Sequence, residues 1–74
     1  MTKELTDKIK QDLQKLSDHY KALEKEEFIL ALRANTTTEQ AEHGQAYSFY
    51  HKLSELYRLM SLRAEDYVNQ FPGV

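Results

Sequence analysis

The chain has 74 residues, a formal net charge of −2, no cysteine, two glycines and one proline. A chain this short makes one domain at most and buries only about 60% of its unfolded surface, so a lone core is marginal. Without cysteine there is no disulfide and no thiolate metal site, which leaves a different metal site or oligomerisation as the usual reinforcement.

No apolar run approaches the roughly 18 residues that a membrane span needs. The opening MTKELTDKIK is charged, unlike a secretory signal. The expectation is a cytoplasmic protein with no membrane partner. Ahead of Asn35 seven basic residues balance seven acidic ones, and beyond it three basic face five acidic. Neither half is a basic block, so no nucleic-acid partner is expected.

Turn signals are nearly absent and no alternating β-branched run occurs, which points to an all-α fold. The first helix is expected at 3–34. Thr2 can cap it, and Glu4 suits the positive end of the helix dipole. Its apolar residues Leu5, Ile9, Leu13, Leu16, Tyr20, Leu23, Leu30 and Ala34 recur at steps of three and four, with one gap of seven, and so share one face. Acid–base pairs such as Glu4–Lys8, Asp12–Lys15 and Asp18–Lys21 each add about 0.2–0.5 kcal/mol to the solvated side.

A turn is expected at 35–37. Asn35 suits a helix stop, and Thr36 with Glu39, or Thr37 with Gln40, fits a capping box. The second helix is expected at 38–70, ended by Pro72-Gly73. Its stripe is Ala46, Phe49, Leu53, Leu56, Met60, Ala64, Tyr67 and Phe71. Gly44 costs up to about 1 kcal/mol in a helix interior. It marks a possible break between a short helix near 37–43 and the main one.

Folding back at the turn makes a long antiparallel helical hairpin. Residues whose numbers sum to about 71 or 72 then lie level. Leu23 comes opposite Phe49, Leu16 opposite Leu56, Leu13 opposite Met60, Ile9 opposite Ala64 and Leu5 opposite Tyr67. On this reading the two stripes seal one another. Phe28, Ile29 and Leu32 lie off the first stripe, about 8 Å from the turn, and Leu59 and Leu62 lie off the second, about 36 Å from it. Two hairpins packed antiparallel about a two-fold axis would set one group on the other, giving a homodimeric four-helix bundle. Phe28, Ile29, Leu32, Leu59 and Leu62 are the expected interface, with Tyr47 as a lesser member.

The polar residues offer less. Glu27 interrupts the first stripe, and the hairpin brings it near Glu39, Glu42 and His43. Inward carboxylates with a histidine are how di-metal helical bundles hold iron or manganese. Those sites use a Glu-x-x-His step, whereas Glu39 and His43 are four apart. The simpler reading is a hydrated hairpin end with Glu27 in water or paired to His43. His19 and His51 come nearly level and would lose stability together below about pH 6.5 if they faced each other. Most of the five tyrosines fall on or beside the stripe as core rings with wet hydroxyls. Ser17, Ser48, Ser54 and Ser61 stand on helices without a nucleophile elbow, and there is no glycine-rich phosphate loop.

The sequence therefore leads to a non-enzymatic interaction or regulatory module that self-associates through helical faces and contacts another protein. No catalytic residue, cofactor or metal ligand is assigned. The alternatives are a metal-binding carboxylate/histidine bundle and an acidic helical inhibitor of a nucleic-acid-binding protein.

Overall fold

A computed structural model describes residues 3–64 and residue 66. Two helices, α1 (Lys3–Leu32) and α2 (Thr37–Leu62), form an antiparallel hairpin. The chain is 56 Å long and only 17 by 13 Å across. The shorter cross-dimension is about one helix diameter, so the hairpin is a single layer. Domains ordinarily enclose a core between two layers.

The connection follows the capping chemistry of the sequence. Thr36 is extended at φ −128°, ψ 156°, and its hydroxyl accepts the Glu39 amide at 3.1 Å. The Glu39 carboxylate reaches back to accept the Asn35 amide at 3.4 Å. This is the capping-box exchange, displaced by one residue on the return bond. One amide that the first turn of α2 would otherwise leave without a partner, that of Glu39, is thereby satisfied, and the Asn35 amide just ahead of the cap is satisfied with it.

α2 runs without a break through Gly44. No separate short helix forms at 37–43, because a helical glycine costs entropy but obstructs nothing. The helix ends at Leu62. Arg63 takes φ −96°, ψ 2°, a bridge-region conformation that leaves the helical path, while its amide still bonds the Leu59 carbonyl at 3.0 Å. The expected helix to residue 70 is thus cut short at Leu62, and its last expected residues, 67–70, with the Leu5–Tyr67 pairing, lie outside the described residues.

The register matches the expectation. The Ser17 hydroxyl donates to the Ser54 carbonyl at 2.8 Å, and the Ser61 hydroxyl donates to the Lys10 carbonyl at 2.9 Å. Both pairs of residue numbers sum to 71.

What fills the seam differs from the expectation. On α1 the buried and half-buried positions include Thr6, Lys10, Leu13, Ser17, Tyr20, Glu24 and Glu27; on α2 they include His43, Tyr47, Tyr50, Ser54, Tyr57 and Ser61, with Ala64 just past its end. These alternate in steps of three and four, the spacing of a coiled-coil seam. Yet they are mostly small, hydroxylic or charged. Leu16, Phe49, Leu56 and Met60 stay exposed beside the seam. The two apolar stripes lie side by side and do not seal one another. The physical reason is close approach: a serine hydroxyl reaches the facing backbone carbonyl, where a leucine would hold the helices apart.

Candidate interaction surface

With the seam fixed, the remaining residues sort into two faces. Each residue turns about 100° around its helix. Leu5, Ile9, Leu16 and Leu23 stand about a quarter-turn from the seam of α1. Phe49, Leu53, Leu56 and Met60 stand about a quarter-turn or somewhat more from the seam of α2, in the same rotational sense. Because the helices run oppositely, the same sense of rotation carries both sets to one side. They form a single front face. Ile9, Leu23 and Leu53 are half-buried there and the others are exposed.

Among the described residues Ala64 is the only buried apolar one, and no large side chain is fully buried. The hairpin alone has no core.

The opposite, back face is mostly polar, with one apolar spot near the turn. Phe28, Ile29 and Tyr47, with Glu24 and Lys25, line an open cleft of about 320 Å³. The Phe28 and Tyr47 rings are 5.7 Å apart, and Tyr47 stacks on His51 at 6.3 Å. Leu32, Leu59 and Leu62 are also exposed. By helical position Leu32 and Leu62 fall at opposite ends of this back face, and Leu59 points away from α1. The residues expected to form one interface are thus divided between directions.

The seam itself is polar near the turn and tightly packed farther off. His43 Nδ1 lies 2.6 Å from the Glu27 carboxylate, and His51 Nδ1 lies 3.0 Å from that of Glu24. In each, the imidazole donates and the carboxylate accepts, so both pairs tie α1 to α2. Farther from the turn, Tyr20 inserts between Tyr50 and Tyr57, with ring centroids at 6.1 and 5.6 Å.

The suggested polar group does not converge. Glu27 and His43 meet, Glu39 is engaged in the cap, and Glu42 is exposed. No set of three histidine, aspartate or glutamate side chains close enough to hold a metal occurs among the described residues. His19 and His51 do not face each other. His19 sits edge-on to Tyr20 at 5.3 Å, whereas His51 has turned to Glu24. They are level but project to opposite sides of the seam, so the mutual repulsion expected on acidification has no basis.

Among the described residues Glu55 carries the one clear electrostatic perturbation. The Arg58 guanidinium donates to its carboxylate at 2.8 Å and holds it below the ordinary carboxylate value, first through that hydrogen bond and then through its charge. Both groups are exposed enough that this is a surface pair of small energy.

Sequence reasoning missed Ser17, Ser54 and Ser61 as buried inter-helix contacts. Their signal was present: Ser54 and Ser61 are one heptad apart, and Ser17 is level with Ser54. No helix among the described residues is long and apolar enough to cross a membrane. Comparison with protein-family models, curated proteins and solved structures gave no match.

Proposed function

We propose that this chain is a non-enzymatic interaction module that self-associates through its front face, two hairpins closing into a four-helix bundle. The observation that carries this is the open face of Leu16, Leu23, Phe49, Leu56 and Met60 on a hairpin whose only buried apolar residue, among those described, is Ala64. A second layer supplies the missing half of a two-layer domain.

The area supports the same reading. The chain exposes 5830 Å². A compact monomer of 8.7 kDa exposes about 4,700 Å². The surplus of about 1,100 Å² is of the size each partner contributes to a stable interface, about 800 Å² or more.

Sedimentation equilibrium of the purified chain tests the proposal. The expected species has twice the 8.7 kDa chain mass, and Leu56→Glu reduces it to one chain. A wild-type chain that stays at 8.7 kDa up to tens of micromolar defeats it. Phe28→Glu is the control, since the back-face cleft lies outside the proposed contact. If Phe28→Glu dissociates the dimer and Leu56→Glu does not, the interface is the originally expected set around Phe28, Ile29, Leu32, Tyr47, Leu59 and Leu62.

The cleft between Phe28, Ile29 and Tyr47 favours a second contact, made to a different protein that inserts one apolar side chain there. Apolar pockets with an aromatic wall are where interface anchors concentrate their energy.

A further inference from the structure

The front face has a symmetry that specifies how its occupant sits. We infer that a second copy of this chain packs on it antiparallel, with α1 on α1 and α2 on α2, about a two-fold axis at the level of Leu16. This rests on the self-association proposed above and adds its orientation.

The apolar pattern reads the same in both directions. On α1, Ile9 and Leu23 stand seven residues to either side of Leu16. On α2, Leu53 and Leu56, then Phe49 and Met60, bracket the step between Ser54 and Glu55. The serine-bonded register sets Ser17 level with Ser54, and so Leu16 level with Glu55. Both helices are therefore centred at one height. A two-fold axis there, perpendicular to the helices, sets Leu16 on Leu16 of the second copy. It also sets Ile9 on its Leu23, Phe49 on its Met60 and Leu53 on its Leu56. Large meets large at these levels, Leu5 at the end of the face lies level with Glu27 of the second copy and outside the match, and the contact is isologous.

Apolar matching alone does not choose this arrangement. Turning the second hairpin about an axis along the helices leaves both turns at the same end and sets α1 on α2, which also pairs leucines. The charged rim decides. In that parallel arrangement Lys8 is level with Arg63 of the second copy, and the clash occurs twice. In the antiparallel one Glu26 of the second copy lies two residues, about 3 Å, from the level of Lys8, within reach of both long side chains, and this attraction also occurs twice. Lys15, one heptad from Lys8, nears its own copy beside the axis, a repulsion that occurs once against the two Lys8–Glu26 attractions. Opposed rim charges fix register and orientation more than they add affinity.

The chain has no native cysteine, so a single Thr38→Cys variant gives clean spin labelling at an exposed site beside the turn. Pulsed electron paramagnetic resonance on the dimer reads the distance between the two labels. The antiparallel arrangement puts the turns at opposite ends, about 50 Å apart at 1.5 Å per residue. A distance under about 25 Å, the width of a bundle of four helices, overturns the orientation and leaves self-association standing. Monomeric protein with no dipolar coupling overturns self-association, and the orientation with it. A charge reversal reads the same choice with opposite signs. Lys8→Glu weakens the dimer several-fold and Lys8→Glu with Glu26→Lys restores it. In the parallel arrangement Lys8→Glu tightens it instead, by relieving Arg63.

Discussion

Ser17 and Ser54, at the centre of the seam, are each 4% exposed, while their neighbours Leu16 and Leu56, a quarter- to half-turn around the same helices, are 39% and 52% exposed. The seam is built from small and hydroxylic side chains, and the front face from leucine, methionine and phenylalanine. The most buried contact between the two helices is thus a hydroxyl on a carbonyl and not a pair of apolar side chains. Serine at the seam lets the backbones close, and its hydroxyl satisfies itself on a facing carbonyl, so little is lost by burying it. Leucine placed beside the seam remains available to another surface. A helix pair can in this way be specified by its seam and still depend on a further layer for most of its hydrophobic stabilisation, at about 25 cal/mol per Å² buried.

Adjacent substitutions test that division most sharply. Leu16→Ala is expected to cost the dimer about 2–5 kcal/mol, as for a core leucine. Ser17→Ala, one residue on, removes one hydrogen bond and costs about 1 kcal/mol, since the Ser54 carbonyl keeps its bond within α2. Chemical denaturation at fixed protein concentration measures both. Equal effects would erase the distinction between seam and face.

Changes outside both regions should be smaller and independent of concentration. Thr36→Ala removes the acceptor for the Glu39 amide and is expected to lower stability by about 1 kcal/mol. Gly44→Ala should act oppositely. A Cβ there meets nothing within 4 Å, so the gain is the full helix-propensity difference, about 0.5–1 kcal/mol. A loss of stability on Gly44→Ala would mean that a partner approaches that position closely.

The smallest effect concerns pH. The Glu55 carboxylate is held below its ordinary value by Arg58 in the folded chain. Its contribution is therefore present above the unfolded carboxylate range and is lost as pH falls through the folded value, below about pH 4.3. Arg58→Ala should slightly flatten the acid limb of the stability profile and leave the neutral region unchanged. A change at pH 7 as large as that of Ser17→Ala would show that the pair is not merely a surface one.

Much of the fold was legible from residues alone. Steps of three and four gave both helices, Thr36 and Glu39 gave the cap, and a midpoint turn gave the register that Ser17 and Ser54 display. Periodicity identifies an apolar stripe but not what covers it. Both stripes here were assigned to each other, because mutual burial is the simplest way for two leucine ridges to leave water. The competing term was the distance of closest approach, which favoured Ser17, Ser54, Ser61 and Ala64 over Leu16 and Leu56. His51 was misassigned for a related reason: its level was right, but level does not say to which side a ring projects, and Glu24 was on that side.

The central claim is that a lone hairpin is half of a fold, and the thermal midpoint as a function of protein concentration tests it most directly. If the front face closes on a second copy, unfolding is coupled to dissociation, and the midpoint rises steadily over a hundred-fold increase in concentration. A cooperative transition whose midpoint stays fixed over that range, in a sample of single chains, would contradict it.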